Sequence, residues 1–232
     1  MPESEPTVLI VGAGQGLSAA LARRFSSSGA KVAIAARSKE KLAAVAEATG
    51  TRAFACDASQ PAAVKRLFAD VEAQVGKPEV VIYNASGRLR GPFVELDPIE
   101  VERALAVTAF GGFLVSQAAA QRMLPRGRGV ILLTGASASV KGYAKSAPFA
   151  MGKFALRGLA QSMARELSPL GIHIAHIVID GAIRAPGAAT DPAKPDSQLE
   201  ADAIAETYFQ LAQQPRNAWS WEIELRPWVE RF

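Results

Sequence analysis

Glycines cluster where a short apolar run ends and a helical pattern begins. The apolar run is Thr7–Val11, and the helical pattern covers 16–28. Phosphate oxygens bind unblocked backbone N–H groups at a helix N-terminus, and glycines let the chain turn tightly against a pyrophosphate. The residues predicted to bind a dinucleotide in this way are Gly12, Gly14, Gln15, Gly16 and Leu17. The alternative interpretation is a tight turn that binds no ligand.

The residues after the second predicted strand indicate which dinucleotide the site prefers. That strand covers 31–35, and it is followed by Arg37 and Ser38. An NAD-selective site has a carboxylate there, which accepts hydrogen bonds from the ribose hydroxyls, and this chain has none. A guanidinium with a nearby hydroxyl suits a 2′-phosphate instead. The sequence therefore favours NADP(H) over NAD(H), while an ordinary surface arginine is the alternative.

Strand-like and helix-like stretches alternate along the whole chain. Strands are predicted over Thr7–Val11, 31–35, 52–56, 79–83, 130–134, Ile172–Ile179 and 220–225. Helices are predicted over 16–28, 39–48 with Ser38 as its cap, 61–75, 98–123, 149–167 and 200–213. This alternation predicts an α/β fold, namely a Rossmann-type doubly wound parallel sheet in three layers, formed by a single domain over 1–232. The segment 181–198 lacks periodicity and is either a lid over the site or disordered.

Composition and charge argue against several functional classes. Of the 232 residues, 49% are hydrophobic and the net charge is +4, with no basic tract interleaved with aromatics that would indicate nucleic acid. The polar segment 1–6 does not resemble a signal peptide, and no apolar run reaches membrane-spanning length. The single cysteine, Cys56, and the histidines His173 and His176 form no metal-ligand pattern. We expect a cytoplasmic protein that acts on a small molecule, without a metal, a membrane or a nucleic acid as partner.

With these motifs in place, the chain resembles the short-chain dehydrogenase/reductase family over nearly its whole length. The glycine motif is similar to that family's TGxxxGxG pattern, with Val11 for the threonine and Ser18 for the last glycine. Cys56-Asp57-Ala58 is similar to the end of the family's third strand. The resemblance implies that Asp57, with Ala58 beside it, holds the adenine.

Further resemblances place the nicotinamide end of the expected site. Asn84 and Ala85 lie in a segment similar to the family's NNAG motif, and Gly181 lies where the family has Pro-Gly. The resemblance implies that a backbone group at Ile183 meets the nicotinamide amide. It also implies that Lys153, at the lysine of the YxxxK motif, binds the nicotinamide ribose.

The catalytic positions depart from the family pattern. Phe149 stands at the tyrosine that donates the proton, Ala136 at the serine and Thr108 at the asparagine, so that only Lys153 is kept. We name Lys153, Thr108 and Ser137, which is adjacent to Ala136, as catalytic candidates. One hypothesis is an NADP(H)-dependent reductase of a carbonyl or activated alkene with altered proton delivery, in which Tyr143 or a water molecule could also take part. The other is a non-catalytic NADP(H)-binding sensor or partner protein.

Two further groups of residues bear on substrate and assembly. Arg88 and Arg90 follow the fourth strand at the ligand-binding edge of the sheet, where they either meet an acidic or phosphorylated substrate or are solvated. Large apolar side chains are concentrated near the C-terminus, namely Trp219, Trp221, Ile223, Leu225, Trp228 and Phe232. By resemblance to a family of dimers and tetramers, we predict a homodimer or homotetramer that buries part of this segment; packing within the subunit is the alternative.

Overall fold

The computed structural model describes residues 5–230, so the predictions for residues 1–4 and for Phe232 lie outside the described residues. Within this range the strands are β1 Thr7–Val11, β2 Lys31–Ala36, β3 Arg52–Ala55, β4 Pro78–Tyr83, β5 Gly129–Thr134, β6 Ile172–Ile179 and β7 Glu222–Leu225. The α-helices are α1 Leu17–Ser26, α2 Ala43–Thr49, α3 Pro61–Gln74, α4 Pro98–Leu105, α5 Gly111–Met123, α6 Ala147–Leu167 and α7 Ala201–Ala212.

The strands form one parallel sheet in the order β3-β2-β1-β4-β5-β6-β7. Helices cover both faces, because the central strands are apolar on both sides. Every residue of β1 and β6 is buried. One core lies beneath α3, α5 and α6, and the other lies beneath α1, α2 and α7. The predicted Rossmann-type, doubly wound, three-layered α/β fold is confirmed.

The strand order reverses direction at β1, which lies between β2 and β4. Connections from β1 and β4 therefore leave on opposite faces, and their loops separate at the carboxyl edge of the sheet. Ligands of such sheets bind in the crevice that forms at this point. The loops that carry the predicted site residues all follow strands at this edge.

The second predicted helix differs from the one observed. A 3₁₀ turn covers Glu40–Leu42 and the α-helix begins only at Ala43, so that Ser38 does not act as a close helix cap. The Ser38 hydroxyl donates to Glu40 at 2.9 Å, and the backbone N–H of Lys41 approaches its oxygen only to 3.4 Å. The hydroxyl therefore donates to one side chain and accepts a long hydrogen bond from one backbone amide of the 3₁₀ turn, ahead of the α-helix itself.

The predicted long helix over 98–123 is interrupted in the middle. Residues Ala106–Phe110 form a π-helical segment between α4 and α5. The buried hydroxyl of Tyr83 donates to the Val107 carbonyl, which is thereby satisfied outside the regular helical ladder. A Cβ atom at Gly111 would lie 2.4 Å from the Tyr83 hydroxyl, so the close approach requires glycine there. A buried partner from the sheet thus explains an interruption that helical periodicity alone does not predict.

The segment 181–198 contains no helix or strand, and its two ends are joined. Ile183 and Leu199 form a parallel bridge, in which the Leu199 N–H donates to the Ala182 carbonyl at 2.8 Å. Farther along, the Trp228 indole donates to Asp196 at 2.9 Å. These contacts fix both ends of the segment beside the ligand-binding edge, and the lid role stays a prediction.

The C-terminal aromatic side chains have different environments. Trp219 stacks on His173 with the ring centroids 4.9 Å apart, and Trp221 lies under the guanidinium of Arg157. Ile223 and Leu225 pack on the second core, whereas Trp228 is 82% exposed. Part of this segment therefore packs within its own subunit, while Trp221 and Trp228 are exposed, and burial of the segment in an oligomer stays a prediction.

One helical stretch, Pro98–Arg126, is long and apolar enough by length and composition to cross a membrane. Half of its most apolar window is buried against the rest of the chain, and core helices of water-soluble proteins pass the same test. Within residues 5–230, no cluster of three or more His, Cys, Asp or Glu side chains could hold a metal ion. The metal-free and membrane-free interpretations remain predictions.

Candidate active site

A cleft of about 1820 Å³ opens at the carboxyl edge of the sheet. Loops that follow β1 to β6 line it, and it extends from Arg37 at one end to Phe149 and Lys153 at the other. Ordinary small-molecule pockets have volumes of roughly 300–1,000 Å³. This cleft is large enough for an extended ligand together with a second, smaller molecule.

The glycine turn between β1 and α1 forms the floor of the cleft. Gly12 has a φ of +88°, and a Cβ there would lie 2.2 Å from the Ala85 nitrogen, so this position requires glycine. At Gly14 and Gly16 a Cβ would meet nothing within 4 Å, because both positions face open space. No side chain caps the start of α1 at Leu17. The free amides of its first turn therefore offer a phosphate-binding site.

A polar network behind the turn fixes its position. Ser18, which stands at the last glycine of the family motif, is buried and donates to the Gly12 carbonyl at 3.1 Å. Asn84 donates to the Ser18 hydroxyl at 2.7 Å, and its own N–H donates to the Val11 carbonyl at 2.8 Å. The serine hydroxyl thus links the turn to the loop after β4, an arrangement that a glycine could not provide.

The end of β2 carries positive charge in the cleft. Arg37 is exposed there, and Lys41 lines the same part of the cleft from the 3₁₀ turn. Within the described residues neither forms an ion pair with a carboxylate. Ser38 also lines the cleft, with its hydroxyl engaged by Glu40. The sequence analysis missed Lys41, which the four-residue spacing from Arg37 could have indicated.

The loop after β3 lines the same part of the cleft as Arg37 and Lys41. One carboxylate oxygen of Asp57 accepts from the N–H and the hydroxyl of Ser59, at 3.0 Å and 2.7 Å. Asp57 and Ala58 both line the cleft. Cys56 is buried beside them, and burial raises the pKa of its thiol to about 11. The thiol is therefore protonated at neutral pH, which agrees with a packing role and not with a nucleophile.

Lys153 lies at the opposite end of the cleft, on α6. Its side chain is 3% exposed, and its Nζ donates to the Thr134 carbonyl at 2.6 Å. Burial, with a smaller contribution from the Arg88 charge, lowers the pKa of Lys153 to about 7. A buried ammonium with one protein acceptor has N–H donors left for a ligand in the cleft.

Phe149 lies one helical turn before Lys153 and closes the end of the cleft. Its ring is nearly buried, and the Lys153 Nζ lies 5.8 Å from the ring centroid. The ring offers neither a proton nor a hydrogen bond. Hydroxyl groups around it come from Ser137, Tyr143 and Ser146, all of which line the cleft. Ser146, which precedes α6, was missed by the sequence analysis.

Thr108 is placed differently from the other catalytic candidates. It is 1% exposed, and its hydroxyl accepts from the Gly87 backbone N–H at 2.8 Å. It lies beneath the loop after β4 and is not among the residues that line the cleft. The structure therefore gives Thr108 a position from which it fixes that loop, and a direct catalytic role for it stays a prediction.

The loop after β6 completes the nicotinamide end predicted from the sequence. Gly181 and Ile183 line the cleft, and Gly181 has a φ of +151°. Asp180, which stands where the family has proline, is buried between two cations. Its carboxylate lies 3.2 Å from Lys141 and 2.8 Å from Arg226. These ion pairs join the loops after β5, β6 and β7, and so they position Gly181.

These residues fit a nicotinamide dinucleotide. The uncapped amides and open glycine positions suit a pyrophosphate, Arg37 and Lys41 suit a 2′-phosphate, and the buried Lys153 has N–H donors left for a hydroxyl-bearing ligand. The cleft brings all predicted cofactor residues together: Gly12, Gly14, Gln15, Gly16, Leu17, Arg37, Ser38, Asp57, Ala58, Asn84, Ala85, Lys153, Gly181 and Ile183.

Comparison with known proteins identifies the family to which the chain belongs. A family model described as short chain dehydrogenase matches residues 6–194. The (3R)-3-hydroxyacyl-CoA dehydrogenase of Canis lupus familiaris is 32% identical over 195 residues, which are 77% of this chain and 74% of that enzyme. The chain belongs to the short-chain dehydrogenase family.

Two crystal structures extend the similarity to nearly the whole chain. A short-chain dehydrogenase from Rhodopseudomonas palustris is 35% identical with a TM-score of 0.82, covering 96% of this chain and 99% of that one. A metagenomic short-chain oxidoreductase in complex with NADP is 30% identical with a TM-score of 0.83, covering 97% and 98%. Matches to the curated relatives cover 60% to 74% of each relative's length.

Proposed function

We propose that this protein is an NADP(H)-dependent oxidoreductase. It transfers a hydride between the cofactor and a carbonyl compound or activated alkene, and its proton delivery does not use a tyrosine on α6. The observation that carries the proposal is the buried Lys153, which ends a cleft that begins at an uncapped glycine turn. A non-catalytic NADP(H)-binding protein is the alternative, which the assay below separates from an enzyme.

The preference for NADP(H) is supported by charge. Arg37 and Lys41 lie in the cleft without carboxylate partners among the described residues, and a doubly charged phosphate monoester would pair with both. Related structures carry the same cofactor, since the metagenomic oxidoreductase at 30% identity is in complex with NADP. Gly14 and Gly16 would hold the pyrophosphate, Gly12 would form the turn with its own N–H bonded to the Ala35 carbonyl, and Asp57 would contact the adenine.

At the reacting end, the protein's own groups must bind the substrate and supply a proton. When bound, the cofactor supplies or accepts the hydride. Lys153 would bind the nicotinamide ribose, and with its pKa lowered to about 7 it could give up or take up a proton at the end of the cleft near neutral pH. The hydroxyls of Ser137, Tyr143 and Ser146 line the space around Phe149, where a carbonyl oxygen would gain its proton. Reduction requires that proton, and a positioned donor contributes about 10²–10⁴-fold to the rate.

Restoring a phenol at Phe149 tests this account of proton delivery. We expect the variant Phe149→Tyr to increase kcat/KM for simple ketones by about 10²-fold or more, because a phenol then lies one helical turn from Lys153. The measurement follows NADPH oxidation with panels of ketones, quinones and enoyl thioesters. Phe93→Tyr is the matched control, since Phe93 is exposed and does not line the cleft.

The outcomes of this assay divide the hypotheses. Turnover of any panel member by the wild-type protein supports the oxidoreductase. Tight NADPH binding without turnover by either the wild-type protein or Phe149→Tyr would favour the non-catalytic alternative. An equal gain in Phe93→Tyr would show that the phenol's position is irrelevant, and the interpretation of Phe149 would then be wrong.

We also propose that the protein is a cytoplasmic homodimer or homotetramer that acts on a small-molecule substrate. Apolar side chains remain exposed on the long helices: Phe110, Phe113, Leu124, Met151 and Phe154. Phe110 and Phe113 stack on each other with centroids 6.2 Å apart, in a stretch that would otherwise face water. Such a patch on two long helices favours association with a second copy.

A charge introduced into this patch tests the assembly. We expect Phe113→Glu to convert the oligomer into monomers in sedimentation-velocity experiments at micromolar concentration, because burying an unpaired carboxylate is costly. Leu170→Glu, which changes an exposed apolar residue beyond the end of α6, is the control and should leave the oligomer intact. A wild-type protein that sediments only as a monomer contradicts the proposal.

A further inference from the structure

The loop after β4 holds a guanidinium over the apolar end of the cleft. The Arg88 Cζ atom lies 5.4 Å from the centroid of the Phe149 ring. Lys153 approaches the same ring, with its Nζ 5.8 Å from the centroid. Two cationic side chains therefore converge on Phe149, where the predicted substrate would react.

The backbone around Arg88 is held at both sides. The Gly87 N–H donates to the buried Thr108 hydroxyl at 2.8 Å, and the Gly91 N–H donates to the Lys145 carbonyl at 3.1 Å. A Cβ at Gly87 would lie 2.6 Å from the Ala104 Cα, so the loop approaches α4 more closely than any other residue type allows. Lys145 itself has a φ of +59°, an uncommon conformation for a non-glycine residue. Arg88 thus extends from a positioned segment and not from a free loop.

The positive charge at this end lacks a protein counter-ion. Within residues 5–230, neither Arg88 nor Arg90 forms an ion pair with a carboxylate. The nearby Glu100, which also lines the cleft, is already paired with Arg103. Asp57 lies at the adenine end of the cleft. An anion that enters beside Phe149 would therefore meet an arginine that no protein carboxylate neutralises.

We propose that the substrate carries a carboxylate close to its reducible group and that Arg88 binds this carboxylate across the face of Phe149. The proposal rests on the oxidoreductase function and names its substrate class, an oxo acid. A guanidinium matches the two oxygens of a carboxylate in a bidentate geometry, and although Arg88 is exposed, the Phe149 ring lies beside one face of its guanidinium. Arg88 would then orient the substrate. Phe149 cannot do this, because its side chain has neither a charge nor a hydrogen-bonding group.

Matched substrates test this assignment. Short 2-oxo and 3-oxo carboxylic acids are assayed against their methyl esters, with NADPH oxidation as the readout. We expect Arg88→Gln to raise KM for the acids by about 10–100-fold and to change KM for the esters little, since a charge-assisted hydrogen bond is lost only with the acids. Arg88→Lys should recover part of the affinity. Arg165→Gln, on the outer side of α6 and outside the cleft, is the control.

Binding provides a readout that does not depend on turnover. Calorimetry with oxamate and malonate, with and without NADP⁺, should show millimolar or tighter affinity that Arg88→Gln removes; inorganic phosphate is titrated in parallel. Phosphate binding that is tighter than that of both carboxylates with NADP⁺ present, and that Arg88→Gln removes, would overturn the assignment of a carboxylate. Equal carboxylate affinity in the wild-type protein and Arg88→Gln, or none in either, would overturn the role of Arg88.

These failures are distinguishable from failure of the proposed function. One outcome is that NADPH binds and neutral ketones or enoyl thioesters are reduced, while KM for the acids is the same in the wild-type protein and Arg88→Gln. In that case only the substrate class is wrong. If neither NADPH nor NADH binds, the oxidoreductase function itself is wrong. The carboxylate titration of the cofactor-free protein then still gives its own answer about Arg88.

Discussion

Reversal of the charge at Arg37 is expected to weaken NADPH binding by about 10²-fold or more, because one charge-assisted hydrogen bond contributes about 1.5–3 kcal/mol and the new carboxylate also repels the phosphate. The variant is Arg37→Glu, and the measurement is calorimetric titration with NADPH and with NADH. NADH affinity should stay constant or increase, because a carboxylate at the end of β2 can accept from the ribose hydroxyls.

Arg165→Glu provides the matched control for the change in net charge. Arg165 is exposed on α6, and among residues 5–230 its guanidinium donates only to the Gln161 carbonyl within the helix. We expect this variant to bind both cofactors with wild-type affinity. NADPH affinity that Arg37→Glu leaves unchanged would mean that Arg37 is an ordinary surface arginine, and Lys41→Glu would then test whether the lysine alone holds the phosphate.

Removal of the Lys153 charge is expected to lower turnover and to change how stability depends on pH. For Lys153→Met we expect kcat/KM to fall by about 10²–10⁴-fold, the range for a positioned group that supports proton transfer. NADPH oxidation by any substrate that the panel identifies measures this loss. Lys65→Met, an exposed lysine on α3 outside the cleft, is the control for the same change of residue.

The stability prediction follows from the lowered pKa of Lys153. Burial lowers the pKa from 10.5 in the unfolded chain to about 7 in the folded protein. The unfolded chain therefore binds more protons between these two values, and the free energy of unfolding rises with pH across that window. Each pH unit is worth up to about 1.4 kcal/mol, so the wild-type protein should gain about 2–3 kcal/mol relative to Lys153→Met between pH 7 and pH 9.

Urea unfolding of both proteins at pH 7, 8 and 9 measures this difference. Lys65→Met, at an exposed position on α3, is the control for the loss of a lysine elsewhere in the chain. Parallel pH profiles for the wild-type protein and Lys153→Met would contradict the lowered pKa. Unchanged turnover in Lys153→Met would contradict the role of the lysine in the reaction.

Alternation of apolar strands and amphipathic helices was sufficient to predict the fold. Fully buried strands such as Ile172–Ile179 are recognisable as mostly apolar runs, here interrupted by His173 and His176, because parallel strands are covered on both faces. Element ends such as Gly50, which has a φ of +64°, also follow from local residue preferences. Signals of this kind depend on residues that are close in sequence.

Features that depend on distant partners were missed. The π-helical segment Ala106–Phe110 depends on the Tyr83 hydroxyl, which comes from β4 and cannot be paired with Val107 from sequence spacing. Thr108 was chosen for its aligned position, yet its hydroxyl is buried against Gly87. Short polar side chains satisfy whichever backbone group the fold brings close, so their partners are set by tertiary structure.

The two ends of the cleft were predictable to different degrees. The cofactor end is built from backbone amides and glycines that follow one another in the chain, and all of its predicted residues line one cleft. The substrate end is assembled from loops after β4 and β5 and from the start of α6. Ser146 and the position of Arg88 over Phe149 emerge only when these loops are placed together.

Calorimetric titration of the wild-type protein with NADPH and NADH tests the central claim most directly, because every role assigned above depends on a phosphorylated dinucleotide in the cleft. We predict saturable one-to-one binding of NADPH with at least about 10-fold higher affinity than that of NADH, which corresponds to about 1.4 kcal/mol. Folded protein that binds neither dinucleotide at millimolar concentration would contradict the account, and tighter binding of NADH would contradict the assignment of Arg37 and Lys41.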